Sequence, residues 1–428
     1  MSSTVGRVFA FAWAVSHALQ YGLAITGLNG ISDAVTCADK PAGYIPTKGW
    51  VTPCVPMDST RFGFVVSIFT VGGLIGSLSS DYVARKTGRI GTFRVAAFAI
   101  LIGSVAVGLG ASVPAMLFGR VVIGLGCGIA TATVPVFLAE IAPPSIRQAL
   151  GITNQLFIVV GLLTGQALSL PLAKETIWRW VFAVSFFLAI AQLIGSLFVK
   201  TPGSSDGEEE QPLLPSEEPM SIRELLTSQD PVIRRGLVVV IITQLAQQAC
   251  GISPVMYFST RILKPVFSAN SRMVALAVVA WKIPLTILPA FVIERAGSKP
   301  ILLVSSGFMA ISALLLAIGL NANSGPLSAT SIVSFVSFFS IGLGPVVWVV
   351  LSQVMPPQAR TAAGAIGIAL NWTANGLISS AFLPLQQWLS RDGKYEGNIF
   401  YIFAVSCTVV FIAIRQSYAA FNRAKTAD

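Results

Sequence analysis

About a dozen blocks of roughly 20 apolar residues, free of charged side chains, run through this chain. A helix rises about 1.5 Å per residue, so each block is long enough to cross the ~30 Å hydrocarbon core of a bilayer. No water reaches that core to satisfy backbone N–H and C=O groups, so only helices or closed barrels can span it. Barrel strands would alternate apolar and polar residues, and these blocks do not. Composition points the same way. Charged residues make up 11% of the chain against about 25% in a soluble domain, and 54% of the residues are hydrophobic. A soluble enzyme, a secreted disulfide scaffold and a disordered chain are thereby excluded.

The expected fold class is an all-α membrane protein of twelve transmembrane helices. The spans fall near 8–30, 62–83, 92–112, 114–138, 150–173, 177–199, 236–260, 271–293, 300–320, 327–352, 362–385 and 397–417. The first is too long for the apolar core of a signal peptide. Sixteen Lys and Arg residues lie on the side of the N-terminus and ten on the other, which predicts both termini in the cytosol. The net charge of +10 does not mark a nucleic-acid binder, because the basic residues sit at span ends and form no stripe interleaved with aromatics. One His and five Cys show no metal-ligand spacing. Gly124-Leu-Gly126-Cys-Gly128 lies inside an apolar helix with no strand before it, so it reads as a small-residue packing face rather than a nucleotide loop. No Walker motif and no catalytic constellation occur. Neither an enzyme nor a cofactor is expected.

Two segments depart from the short loops. Residues 31–61 form an external loop whose Cys37 and Cys54 are the only cysteines outside spans; they pair as a disulfide or remain two thiols. Residues 200–235 form the longest cytosolic segment and separate six spans from six. The two sets are related. Leu138-Ala-Glu140-Ile-Ala-Pro-Pro-Ser-Ile-Arg147 recurs as Leu351-Ser-Gln353-Val-Met-Pro-Pro-Gln-Ala-Arg360, and Lys86-Thr-Gly-Arg89 is echoed by Arg295-Ala-Gly-Ser298, at nearly the same offset of about half the chain. Two six-helix halves, 1–199 and 236–428, therefore form a parallel repeat, with residues 200–235 as linker. In such repeats the solute site lies near the bilayer midplane, between the halves.

No Asp or Glu lies deep in a span, which argues against carboxylate-driven symport. The spans hold amides and hydroxyls instead: Gln20, Gln155, Gln166, Gln244, Gln247, Gln248, Ser253, Tyr257, Asn371 and Asn375. Amides both donate and accept, which suits a neutral polyhydroxylated solute, although such groups also serve as plain interhelical hydrogen bonds. Gln244, Gln247 and Gln248 share one helix face, and Gly251 and Pro254 loosen the helix just beyond them. Lys282 stands mid-span, where a charge is costly. It faces a cavity and binds an anion or titrates, or else it snorkels beside Pro284. His17, with no acidic neighbour in sequence, reads as a packing residue.

These motifs resemble the sugar porters of the major facilitator superfamily over nearly the whole chain. The resemblance rests on Gly119-Arg120, Glu140…Arg147, Asn154-Gln155-Leu156, Gln244-Leu-Ala-Gln247-Gln248-Ala-Cys-Gly251-Ile252, Glu294-Arg295-Ala-Gly297, Gly342-Leu-Gly344-Pro345-Val-Val-Trp348 and Asn371-Trp372-Thr373. It implies the major facilitator fold and facilitative hexose transport by alternating access. It assigns sugar contacts to Gln155, Gln247, Gln248, Trp348 and Asn375, and an outer gate to Tyr257; Ser253 and Lys282 replace asparagines of the sugar site. Arg85, Lys86, Arg89, Glu140, Arg147, Glu294, Arg295 and Arg360 match a cytosolic gating network. Ala24 replaces the Asp of proton-coupled members, Ser340 a glutamate near the site and Gln353 a network glutamate. Uniport is favoured, with a proton-coupled or anionic-metabolite carrier centred on Lys282 as the alternative. Glu209-Glu210-Gln211-Pro212-Leu213-Leu214 resembles an acidic dileucine sorting signal, which implies a sorting adaptor and a vacuolar or lysosomal membrane. The expected partners are thus a small sugar, the bilayer and that adaptor, around a monomer.

Overall fold

A computed structural model describes residues 3–38, 40–41, 52–141, 147–175, 177–199, 220–267, 270–391 and 393–427. Among the described residues the chain is helical, with no strand. Nine helical stretches among the described residues are long and apolar enough to cross a membrane. One of them, Ser59–Leu109, is 51 residues long, about twice what a single crossing needs. It reverses at Gly88, whose φ of 71° is open to glycine. Packing against the fourth span, Val113–Ile141, shows the reversal. Gly72 and Gly76 meet Val121 and Leu125 in ascending order, whereas Gly103 meets Gly119 and Ile123 while Ala96 and Ile100 meet Gly126. The shorter apolar helix Trp180–Gly195 and the pair Ser271–Ile287 and Pro289–Ala296 complete twelve spans.

Three spans are broken where the sequence weakens the helix. The seventh consists of Pro231–Ala249 and Ile252–Phe267, separated at Gly251 with φ +86°. A side chain at Gly251 would also meet the Phe403 ring at 2.5 Å. The eighth breaks near Pro284 and Pro289, each of which lacks an N–H to donate. The tenth, predicted as one helix over 327–352, is Gly325–Ile341 and Val346–Val354, with Gly342–Pro345 as a turn between them. Elsewhere the helices outrun the apolar blocks. The eleventh and twelfth are Pro357–Ser390 and Asn398–Ala427, because a helix continues into polar surroundings while its backbone bonds still pair.

By packing, the chain forms two units. One comprises Met1–Thr201, Ser253–Ile283 and Gly376–Glu396, the other Pro202–Ile252, Pro284–Asn375 and Gly397–Asp428. The chain thus passes from unit to unit inside the seventh, eighth and eleventh spans, beside Gly251, Pro284 and Gly376. In the first unit, small residues let backbones touch: a Cβ at Gly124 would collide with the Phe69 carbonyl oxygen. His17 is fully buried, with Nδ1 3.1 Å from the Trp13 carbonyl and its ring against Trp13 and Phe93. In the second unit, Phe308 stacks on Phe338 at 4.5 Å.

Candidate functional site

In the second unit the amides read from the sequence converge on one asparagine. Asn371 Nδ2 lies within hydrogen-bond distance of the Gln244 carbonyl (3.1 Å), Gln244 Oε1 (3.0 Å) and Gln247 Oε1 (2.8 Å). Gln248 Nε2 in turn donates to Asn371 Oδ1 at 3.0 Å. Gln247 Nε2 donates to the Leu343 and Gly344 carbonyls at 3.0 and 2.9 Å. Those carbonyls belong to the turn that breaks the tenth span, so Gln247 fixes the seventh span to the break. The i, i+3, i+4 spacing presents all three glutamines on the face that meets Asn371. All four residues are buried, as is Asn375 at 4% exposure, whereas Trp348, one turn beyond the break, is 45% exposed. Asn371 was a family marker in the sequence; its place at the centre of the amides is a finding of the fold. Gln353 accepts from Ser298 Oγ at 2.6 Å.

The first unit holds a second polar set. Arg120 is buried in the fourth span, and Nη1 donates to the Ala24 carbonyl at 2.8 Å. Its Nη2 and Nε donate to the Val66 and Val65 carbonyls at 2.8 and 3.2 Å, and its guanidinium lies 4.6 Å from the Phe69 ring centre. Three carbonyls and an aromatic face thus surround the guanidinium. Tyr257 packs edge-on against Phe69 at 5.9 Å. Asn29, Gln166, Ser259 and Thr260 form a buried cluster. Asn29 Nδ2 reaches Gln166 Oε1 (3.0 Å), the Met256 carbonyl (3.1 Å) and Ser259 Oγ (2.6 Å). Asn29 Oδ1 accepts from the Thr260 N–H at 3.2 Å, and Gln166 Nε2 donates to Thr260 Oγ1 at 3.0 Å. Gln155 and Ser253 are half-buried in this unit, and Lys282 is buried at 3% exposure.

Of the basic and acidic residues expected to gate, Arg89 and Glu140 pair at 2.7 Å, each about a third exposed. Arg85 pairs with Asp81 at 2.7 Å, and Lys86 lies over the Tyr82 ring. Exposed pairs of this kind are worth about 0–1 kcal/mol each. Arg360 caps the turn after the tenth span, donating to the Met355 and Ser352 carbonyls at 3.0 Å, and Arg295 is exposed. The side chains of Arg147 and Glu294, and the linker residues Glu209, Leu213 and Leu214, lie outside the described residues. Cys37 and Cys54 are bonded, with their Cα atoms 5.3 Å apart.

Comparison with known proteins adds to this geometry. The sugar (and other) transporter family matches residues 9–204 and 203–419. A rabbit protein, solute carrier family 2, facilitated glucose transporter member 3, is 30% identical over 81% of this chain and 76% of its own length. A Saccharomyces cerevisiae protein named vacuolar protein sorting-associated protein 73 is 24% identical over 95% of this chain and 92% of its own. Among solved structures, a D-xylose–proton symporter superposes with a TM-score of 0.76 at 21% identity, covering 95% of this chain and 97% of that one, which speaks for the fold alone. Twelve broken and unbroken spans, the repeat and the match over both halves lead to one conclusion. The chain belongs to the sugar porter family of the major facilitator superfamily.

Proposed function

We propose that this protein carries a neutral monosaccharide, a hexose such as glucose, across a membrane as a facilitator. The observation that carries the reading is the chemistry of the buried polar sets. They consist of amides, hydroxyls and carbonyl-bound Arg120, with no carboxylate among their named members. Amides suit sugar hydroxyls, which also donate and accept. Position 24 holds an alanine whose carbonyl binds Arg120, so no acid there can trade that guanidinium for a proton. The glucose relative is named as a facilitated transporter and the solved neighbour as a proton symporter; the alanine favours the former mode.

In this reading, halves 1–199 and 236–428, joined by 200–235, rock about a midplane site to give alternating access. Gln155, Gln247, Gln248, Ser253 and Asn375 bind hydroxyls, Trp348 packs on the ring and Tyr257 closes the outer gate. Lys282, where the resemblance implies an asparagine, belongs to the same binding set in this reading. Gln247 already spends both amide hydrogens on the tenth-span turn, and Asn371 Nδ2 lies on its oxygen, so it offers a sugar the remaining lone pair of Oε1. The Arg89–Glu140 pair, with Arg85, Lys86, Arg147, Glu294, Arg295 and Arg360, holds the opposite end. Both termini face the cytosol, the protein works as a monomer, and a sorting adaptor reading Glu209, Leu213 and Leu214 directs it to the vacuolar membrane. The yeast relative's name is consistent with that destination.

Lys282 favours a second reading, since a buried ammonium suits an anionic metabolite or a proton-coupled cycle. Uptake of labelled hexose into liposomes, with and without a pH difference, separates the two. The facilitator equilibrates hexose regardless of the pH difference, loses at least tenfold in uptake after Gln247→Ala and keeps it after Lys282→Asn. Uptake that follows the pH difference, and is abolished by Lys282→Asn, establishes the second reading instead.

A further inference from the structure

The four residues of the turn that breaks the tenth span, Gly342 to Pro345, are all buried, so their peptide groups find partners within the protein. The Phe339 carbonyl, which a continuous helix would offer to Leu343, accepts instead from the Gly342 and Gly344 N–H groups at 3.2 and 2.8 Å. The displaced Leu343 N–H donates to Ser305 Oγ at 3.1 Å. Ser305 stands in the ninth span, Ser298–Asn321, and is 1% exposed. It gives its own hydrogen to the Phe338 carbonyl at 2.8 Å, just before the break.

Leu343 is thus held from two sides. Its N–H goes to the ninth-span hydroxyl, and its carbonyl, with that of Gly344, takes the Gln247 amide hydrogens at 3.0 and 2.9 Å. The backbones are close as well: a Cβ at Gly342 would collide with Ser305 Cβ and lie 3.0 Å from the Ile301 carbonyl oxygen. Carbonyls only accept, so their places decide which end of the Gln247 carboxamide is nitrogen. Its Oε1 is left with Asn371 Nδ2 at 2.8 Å and one lone pair to spare. The next serine serves no such purpose. Ser306, also buried, returns its hydroxyl to the Leu302 carbonyl of its own helix at 2.8 Å.

We propose that Ser305 is a positioning residue for the sugar site, acting through Gln247. Its hydroxyl holds the Leu343 peptide, the turn carbonyls hold both Gln247 amide hydrogens, and the free lone pair of Gln247 Oε1 is thereby kept for a sugar hydroxyl. This role rests on the hexose reading, in which Gln247 binds the sugar and Ser305 does not touch it. Without the hydroxyl, the Leu343 N–H is a buried donor that has lost its acceptor, and the turn shifts to find another. The Gln247 carboxamide then loses its fixed sense and can meet a sugar hydroxyl with N–H in place of Oε1.

Uptake of labelled glucose into liposomes holding the full chain, with KM and maximal rate measured separately, tests it. Ser305→Ala is expected to raise KM about two- to tenfold, the factor that one hydrogen bond commands, with the maximal rate kept. Ser306→Ala leaves both unchanged. Gln247→Ala with Ser305→Ala has the KM of Gln247→Ala alone, because the hydroxyl acts only through that amide. Hydrogen–deuterium exchange, which is independent of the cargo, speeds up at 342–347 in Ser305→Ala and stays the same at 306–320. An unchanged KM in Ser305→Ala, beside an impaired Gln247→Ala, overturns the positioning role. So does a double variant whose losses multiply, since the hydroxyl would then act on something other than Gln247. Unchanged exchange at 342–347 overturns the hold on the turn. A Gln247→Ala variant that carries glucose as well as the parent overturns the hexose reading itself, and the role of Ser305 with it.

Discussion

Arg120 carries a permanent charge where water does not reach, and its Nε and both Nη nitrogens find carbonyls of Val65, Ala24 and Val66. Each such charge-assisted bond contributes about 1.5–3 kcal/mol, and removing the donor strands acceptors on two other spans. Arg120→Ala is expected to cost about 3–5 kcal/mol, read as a fall in thermal stability of the purified protein. Arg120→Lys does not rescue it, because one ammonium on a flexible stem cannot reach three carbonyls in a fixed fork. A lysine variant as stable as the parent would show that the carbonyls are satisfied without the fork. In the sequence, Gly119-Arg120 is a family marker and nothing more, since the partners lie 54 to 96 residues away. Lys282, by contrast, stands out in the sequence because a charge interrupts an apolar run, and it lies buried.

At the scale of elements, the breaks in the spans matter most. Gly251 has φ +86°, and a Cβ there would lie 2.5–2.7 Å from the Phe403 ring. Gly251→Ala is therefore expected to destabilise by about 2–4 kcal/mol, combining left-handed strain with a collision between spans. Phe403→Leu in that background relieves the collision and leaves only the strain, so it recovers part of the thermal stability. If it recovers none, the ring is not what forbids the alanine. The sequence signalled the loosening at Gly251 and Pro254, because glycine and proline interrupt a helix face there. The same breakers stand in Gly342-Leu-Gly344-Pro345, but a reading by hydropathy runs one helix over 327–352 because the stretch is apolar throughout. Only the fold shows why that turn persists, with Gln247 occupying the Leu343 and Gly344 carbonyls.

The whole molecule is solvated by lipid, and its surface shows it. Phe187, Leu197 and Val405 stay 60–70% exposed, which in water would invite aggregation and in a bilayer meets acyl chains. Which bilayer is a matter of address rather than of folding. If the linker's acidic dileucine segment is that address, Leu213→Ala with Leu214→Ala moves at least half of a fluorescently tagged protein from the vacuolar to the plasma membrane, with hexose uptake in liposomes unchanged. Unaltered vacuolar residence would place the signal elsewhere. The substitution leaves the spans untouched, so it separates destination from transport.

The twelve spans, the helical class and the family were legible in the sequence. Crossing a membrane demands a run of apolar residues that one chain segment supplies alone, and the repeat doubles that signal. The same holds for the face shared by Gln244, Gln247 and Gln248, which helical periodicity sets. What the amides bond to and which carbonyls hold Arg120 were decided only in three dimensions. Those partners come from segments up to about 230 residues apart. A buried polar group takes its bonds from whichever backbone the packing brings near, and no local pattern records that choice.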